Sequence, residues 1–339
     1  MINAIPKKGP FITIIMPVKN MQAFIDETLK TIQHQSHERW ELLIIDDHSE
    51  DRTWKIIQAY KKDPRIHCWS NPKSGILPAL QLGLSLAKGE FITRMDGDDL
   101  MPTKKLEWMS KKLMKSDSRT IVTGKVKYFS SQSVSQGYLN YESWLNERIE
   151  RKDHWKWIYR ECVVASPNWM MRTNEFKEIG GFEDLTYPED YDMMLRCYQH
   201  GFRIESLKQT TLYWREHPAR TSRNSKHYNQ ESFFRLKILR FLNFENIKGP
   251  VFLIGTMRKG KLTAKLLINK KVLFYWFGRS QEPDRKNIYG VPIQHIDHLP
   301  QAHQAKALIS IFPEPSAKQN LEDFLNTKGF HPGINCWYL

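Results

Sequence analysis

Short apolar, β-branched runs at residues 11–18, 41–45, 65–69 and 90–95 alternate with amphipathic segments at 22–34, 51–60 and 76–87. In the first segment Phe24, Thr28, Leu29 and Ile32 recur at the spacing of one helical face, and in the third Leu80, Leu84 and Ala87 do the same. This alternation confines the chain to βαβ units, because parallel strands cannot be joined by a tight hairpin and need a crossover that a helix supplies. The expected product is an α/β domain built on a largely parallel sheet. Ligands of such sheets lie in the crevice beyond the carboxyl ends of the strands. This chain places acids there: Asp46-Asp47 after the second run and Asp96-Gly97-Asp98-Asp99 after the fourth.

Three carboxylates in four residues repel one another unless a cation offsets them. Mg²⁺ or Mn²⁺ suits the arrangement, since a hard ion is commonly held by one or two carboxylates and completes its shell with water and substrate phosphates. The competing reading is a solvated acidic turn of a common kind. A further pair, Glu189-Asp190, follows Gly180-Gly181-Phe182 and opens a helical pattern that continues through Leu195 and Tyr198. Acids at a helix N-terminus complement its dipole. The same placement fixes a carboxylate on a rigid element, as a general base requires.

At 339 residues the chain exceeds what one hydrophobic core usually serves. A break at Asn246-Ile247-Lys248-Gly249-Pro250 suggests domains at 1–246 and 247–339. In the second, an apolar run at 251–254 leads into Gly255-Thr256-Met257-Arg258-Lys259-Gly260, which lacks the full GxGxxG of a dinucleotide loop. A structural or partner-docking role is therefore expected there rather than cofactor binding. Trp144, Trp155, Trp157, Tyr159 and Trp169 are read as core, the usual fate of large aromatics.

Cys68, Cys162, Cys197 and Cys336 form no CxxC pair, so neither a zinc site nor a disulfide framework is expected. The formal charge of +14 calls for an anionic partner. Basic residues are dispersed and accompany no helix-turn-helix, zinc-finger or RNP pattern, which argues against nucleic acid. No apolar run approaches the length of a bilayer span, and the N-terminus carries no signal-peptide core. A cytoplasmic protein is expected, with peripheral contact at the anionic inner face of the membrane.

Residues 10–220 resemble the family 2 glycosyltransferases, inverting enzymes of the GT-A type. The resemblance is carried by ordered motifs: Ile15-Met16-Pro17-Val18-Lys19-Asn20, Ile32-Gln33-His34-Gln35, the stretch from Trp40 through Asp46-Asp47 to Thr53, Ala87-Lys88-Gly89-Glu90, and the Asp96 cluster. It continues in Ala165-Ser166-Pro167-Asn168-Trp169, Gly180-Gly181-Phe182-Glu183-Asp184 and Pro188-Glu189-Asp190-Tyr191-Asp192. It implies an α/β protein with the GT-A nucleotide-diphospho-sugar transferase fold, followed by a smaller Rossmann-like α/β domain. By the same resemblance Asp47 would bind the base, Asp96 the ribose or metal region and Asp98 the metal, while Asp190 would be the catalytic base. Pro17 and Glu189 join Asp47 and Asp96 as substrate-binding candidates. His217, in Tyr213-Trp214-Arg215-Glu216-His217, resembles a histidine that approaches the metal at the family's last strand end; a surface histidine is the alternative.

The implied activity is inverting transfer of one hexosyl or N-acetylhexosaminyl group, with Mn²⁺ or Mg²⁺, from a nucleotide-diphosphate sugar, UDP-linked by preference. The implied acceptor is a hydroxyl of a glycan or lipid-linked acceptor in cell-surface polysaccharide synthesis. Gln81 departs from an asparagine frequent in the family, and the QxxRW motif of processive synthases is missing after Asp190, which points to single addition. Two other classes compete: a catalytically inactive nucleotide-sugar-binding or scaffold module, and a nucleotidyltransferase. The latter normally carries a glycine-rich basic loop after strand one, and Pro17-Val18-Lys19-Asn20-Met21-Gln22 is not one.

Overall fold

The computed structural model describes residues 9–182, 186–279, 287–311 and 315–339. Residues 1–8, and Glu183 and Asp184 of the Gly180 motif, lie outside the described residues. The chain divides into two compact units, Met1–His154 with Val164–Asn224, and Trp155–Val163 with Ser225–Leu339.

In the first unit the elements run β1 (Ile12–Val18), α1 (Ile25–Gln33), β2 (Trp40–Asp46), α2 (Thr53–Ala59), β3 (Ile66–Ser70), α3 (Ile76–Leu86), β4 (Phe91–Arg94), α4 (Lys105–Met114) and β5 (Thr120–Phe129). Then follow α5 (Gln136–Arg151), β6 (Trp169–Arg172), α6 (Thr173–Glu178), α7 (Glu189–Gln199), β7 (Arg203–Arg215) and α8 (Thr221–Asn224). The strands form one sheet in the order β3-β2-β1-β4-β6-β5-β7. The β3-β2-β1-β4 half is parallel, as the alternation predicts, whereas β6 runs antiparallel to both β4 and β5. Every residue of β2 is buried. That is why its Leu42-Leu43-Ile44-Ile45 run shows no two-residue alternation: both faces of a central parallel strand are covered. Each such side chain contributes about 1.5–3 kcal/mol when fully buried.

The Lys88-Gly89-Glu90 turn shows why the strand ends lie where they do. Buried Glu41 accepts hydrogen bonds from Thr13 Oγ1 at 2.6 Å and from the Lys88 N–H at 2.8 Å, and the Gly89 N–H donates to Thr13 Oγ1 at 2.8 Å. A Cβ on Gly89 would stand 2.4 Å from the backbone nitrogen of Thr13. The residue must be glycine, and the close approach sets β4 in register beside β1, so that the Asp96 cluster emerges next to the end of β1.

The second unit contains α9 (Gln230–Phe244), β8 (Val251–Ile254), α10 (Arg258–Asn269), β9 (Phe274–Gly278), β10 (Asn287–Ile288), β11 (Val291–His295), β12 (Lys306–Ile309), α11 (Pro315–Thr327) and β13 (Cys336–Tyr338). Its sheet has the order β10-β11-β9-β8-β12-β13, parallel except for the β10-β11 pair. The sequence break after Asn246 falls inside this unit, between α9 and β8. Trp157 and Tyr159 pack as core, Trp157 against Tyr338 at 5.2 Å and Tyr159 edge-on to Phe241 at 5.5 Å. Lys237 is buried beside them with its ammonium donating to the Arg160 carbonyl at 2.8 Å. Burial pulls its pKa down to about 7. All four cysteines are buried and unbridged, and among the described residues no helix is long and apolar enough to cross a membrane.

Candidate active site

Asp47 follows directly on β2. Its N–H donates to the Val18 carbonyl at 2.8 Å, tying the end of β2 to the end of β1. Its Oδ1 accepts from Asn71 Nδ2 at 2.7 Å and from the Gly75 N–H at 2.8 Å, and Lys19 Nζ lies 4.0 Å from Oδ2. Gly75 adopts φ +111°, a conformation that favours glycine. Three strand ends thus converge on one carboxylate whose second oxygen is held only loosely. Pro17 sits on β1 opposite Ile45, partly exposed, and among the described residues no hydrogen bond joins it to the acids.

The Asp96 cluster is anchored by its glycine. A Cβ on Gly97 would meet Val18 Cγ1 at 2.9 Å and Ile25 Cδ1 at 3.2 Å, and its carbonyl accepts from Thr28 Oγ1 at 3.0 Å. The three carboxylates then diverge. Asp96 Oδ1 accepts from Arg94 Nε at 2.8 Å, while Arg94 Nη1 donates to Glu189 Oε1 at 3.0 Å. Asp98 Oδ2 lies 2.8 Å from His217 Nε2, and the imidazole packs against the Phe24 ring at 4.4 Å. Asp99 accepts from the Arg215 N–H at 2.8 Å through Oδ1, whereas its buried Oδ2 has no hydrogen-bond partner among the described residues.

Arg215 is the clasp that brings β7 to this loop. Its Nε donates to the Asp98 carbonyl at 2.6 Å, and Leu100 and Tyr213 exchange backbone hydrogen bonds at 3.0 and 3.1 Å. Arg220 is nearly buried, 5.0 Å above Trp214, with Tyr128 and Tyr138 further out, and its charge reaches Asp98 and Asp99. Even so the acids remain under-compensated. Burial raises the Asp96 carboxyl, and Asp98 beside it raises it further, against the pull of Arg94. Burial likewise drives Asp99 well above the carboxylate range, with Asp98 and Asp96 adding to the effect.

Asp190 stands in the first turn of α7, with Oδ1 accepting from the Tyr191 N–H at 2.8 Å. Burial lifts its pKa to about 7, neighbouring Glu189 pushes in the same direction, and Arg94 opposes both. Glu189 itself is 3% exposed and committed to its ion pair with Arg94. Arg94 therefore joins Asp96, at the end of β4, to the first turn of α7.

Arg94, Asn71, Arg215 and Arg220 were not anticipated from the sequence. Arg94 carried a legible signal, being a charge in the otherwise uncharged strand Phe91-Ile92-Thr93 and two residues from an acid. The others depend on contacts across many residues. Gln81, whose identity departs from the family pattern, donates from Nε2 to the Phe182 carbonyl at 2.9 Å and so ties α3 to the Gly180 motif.

Among the described residues no group of three or more His, Cys, Asp or Glu side chains is placed to hold a metal ion. A site for Mg²⁺ or Mn²⁺ does not require one, since such ions retain water and take substrate phosphate oxygens. The Asp98–His217 pair offers two ligand types that suit such an ion.

Residues 13–180 match the family model described as "Glycosyl transferase family 2". The chain belongs to that family. It has a GT-A domain followed by a second α/β domain. The glycosyltransferase TuaG of Bacillus subtilis (strain 168), named for teichuronic acid biosynthesis, is 34% identical over 117 residues, 34% of this chain and 46% of that one. The crystal structure of residues 1–349 of S. aureus TarS in complex with UDP-GlcNAc superposes with a TM-score of 0.55 at 18% identity, covering 76% of this chain and 71% of that one. The mannosyltransferase PcManGT from Pyrobaculum calidifontis, in complex with GDP-Man and Mn²⁺, superposes with a TM-score of 0.51 at 17% identity over 78% and 71%. At these identities the likeness to solved structures concerns the fold. The chain spans 52% and 62% of the length of two further curated relatives.

Proposed function

We propose that this family 2 glycosyltransferase moves one sugar from a nucleotide-diphosphate donor, UDP-linked by preference, to a hydroxyl of a glycan or lipid-linked acceptor, with inversion at the anomeric carbon. The observation that carries the reading is the pairing of Asp98 with His217 just after β4, together with the Arg94 bridge from Asp96 to Glu189, the neighbour of Asp190 in the first turn of α7. The donor preference is supported by TarS, solved with UDP-GlcNAc, and the surface-polysaccharide role by relatives named for teichuronic and colanic acid biosynthesis.

Asp47 accepts a hydrogen bond from the imide N–H of the uracil ring through Oδ2, Oδ1 being already taken by Asn71 and Gly75. Pro17 borders the same crevice on β1, and Asp96 faces the ribose. Asp98 and His217 would hold a divalent ion, Mn²⁺ or Mg²⁺, which when bound would supply positive charge to the diphosphate. Mn²⁺ in PcManGT supports that choice. Asp190 takes the proton of the acceptor hydroxyl as its oxygen attacks the anomeric carbon and the bond to the diphosphate oxygen breaks on the opposite face. A pKa near 7 keeps Asp190 partly ionised at neutral pH yet basic enough to accept that proton. Glu189, a substrate-binding candidate, is held beside Asp190 by its ion pair with Arg94.

The net charge of +14 supports work at an anionic membrane face on a lipid-linked acceptor. Sedimentation with anionic liposomes that weakens as salt rises agrees with this; sedimentation indifferent to salt contradicts it.

The test is release of nucleoside diphosphate from a panel of UDP-, GDP- and dTDP-sugars with Mn²⁺ and lipid-linked acceptors, with the product's anomeric configuration read by proton NMR. Turnover of one donor with inversion supports the proposal. Retention overturns the mechanism, and no turnover with any donor favours a binding or scaffold module.

A further inference from the structure

A cavity of about 390 Å³ in the second unit is lined by Thr256, Met257, Arg258, Lys261, Leu262, Lys265 and Tyr289. That volume falls in the range of small-molecule sites. The cavity lies beyond the carboxyl end of β8, the central strand. The chain leaves β8 for β9 on one side and later returns to place β12 on the other, so the sheet reverses direction of growth at this strand. Open α/β sheets bind ligands at such a point.

The lining has a definite chemistry. Arg258, Lys261 and Lys265 recur at intervals of three and four along one face of α10, and among the described residues no acidic side chain borders the cavity. Among the same residues none of the three is paired with a carboxylate; Lys265 instead lies 5.1 Å above the Tyr289 ring. Tyr289, whose ring stacks 6.5 Å from that of Trp276, and Met257 are 48% and 71% exposed, so both present apolar surface at the cavity. The combination is an aromatic and thioether floor rimmed by cations that pair with no carboxylate among the described residues.

The turn from β8 into α10 narrows the ligand further. In a dinucleotide loop the glycines at positions one, three and six permit a tight turn, close approach of the backbone to the pyrophosphate, and packing of helix on strand. Gly255 holds the first place with φ +114°. Gly260 holds the sixth: a Cβ there would stand 2.0 Å from the Gly255 carbonyl oxygen. The third place is Met257, whose side chain lines the cavity where a pyrophosphate would need bare backbone. β9 moreover ends on Gly278 and is followed by Arg279, where the NAD-binding version has an acid for the ribose hydroxyls. Turn and packing are kept, while bulk stands at the pyrophosphate glycine and positive charge at the acid that NAD requires.

We propose that this cavity binds a nucleoside mono- or diphosphate, its base against Tyr289 and Met257 and its terminal phosphate at Arg258, Lys261 and the free N–H groups of the first turn of α10. The site belongs to the second unit, and the proposal does not rest on the donor assigned to the first.

Met257 is a built-in reporter. The full chain, labelled with ¹³C at methionine methyls and kept in EDTA, is titrated with UDP, ADP, NADH and inorganic pyrophosphate, the Met257 signal being assigned by Met257→Leu. The Met257 methyl should shift saturably with UDP or ADP, with a Kd in about the 10 μM–1 mM range. Pyrophosphate and NADH should bind at least about tenfold more weakly. Arg258→Glu/Lys261→Glu should weaken the nucleotide at least about tenfold while the other methionine signals stay in place. No Met257 shift with either mononucleotide up to about 5 mM overturns the proposal. Equal saturation by pyrophosphate overturns the base contact, equal binding of NADH overturns the role given to Met257, and an unchanged Kd in a folded charge-reversed variant overturns the phosphate site.

Discussion

His217 Nε2 lies 2.8 Å from Asp98 Oδ2 across 119 residues of sequence. The contact exists because β7 carries Arg215 to the Asp98 carbonyl and the Asp99 carboxylate, and His217 follows two residues later. A carboxyl and an imidazole at that separation form either a closed hydrogen-bonded pair or two ligands for a cation.

Replacing His217 by alanine discriminates between these. If the pair holds a cation, Mn²⁺ affinity in the presence of UDP should weaken by about 10–100-fold. Electron paramagnetic resonance titration of free Mn²⁺ measures this directly, and unchanged affinity would assign the histidine a structural role.

Asp190→Asn should lower kcat by about 10²–10⁴-fold while leaving nucleotide affinity near that of the parent. A general base works ionised, so kcat/KM of the unaltered enzyme should fall as pH drops through about 7, the value to which burial and Glu189 raise this carboxyl. A pH-rate profile that stays flat from about pH 5 to about pH 8, the span in which a base of this pKa changes charge, speaks against Asp190.

Arg94 makes two distinguishable contributions. Arg94→Met leaves Glu189 buried without its partner and should cost about 3–5 kcal/mol in urea unfolding, part of it recovered in Arg94→Met/Glu189→Gln. Because Arg94 opposes the upward shift of Asp190, the acid limb of the activity profile in the single variant should also move to higher pH. Loss of stability with an unmoved limb confines Arg94 to folding.

Gly89→Ala forces a methyl to 2.4 Å from the Thr13 backbone nitrogen and should destabilise the first unit by about 1–3 kcal/mol or more. Gly137→Ala is the internal control: nothing lies within 4 Å of its added methyl, and α5 should gain about 0.4–1 kcal/mol. Chemical denaturation of both variants measures the contrast.

The parallel half of the first sheet was legible because local pattern and global fold agree there. The run at 11–18 became β1 (Ile12–Val18) and the one at 90–95 became β4 (Phe91–Arg94), since buried parallel strands are continuous apolar stretches bounded by helices. The acids at the strand ends were legible for the same reason: the topology dictates where strands end. The partners of those acids were not. Arg215 and Arg220 reach the cluster from more than a hundred residues away, and Asn71 binds Asp47 from the loop after β3, so neither periodicity nor spacing points to them. The same holds for Tyr159, whose hydroxyl donates to Glu245 at 3.0 Å across 86 residues, drawing Trp155–Val163 into the second unit.

The most direct test of the account is thermal stabilisation by nucleotide sugars in Mn²⁺ and in EDTA, run in parallel on the parent protein, Asp98→Ala and Asp190→Asn. The account predicts that one UDP-sugar stabilises the parent and Asp190→Asn only when Mn²⁺ is present, and that Asp98→Ala shows no Mn²⁺-dependent gain. Equal Mn²⁺-dependent stabilisation of Asp98→Ala would contradict it.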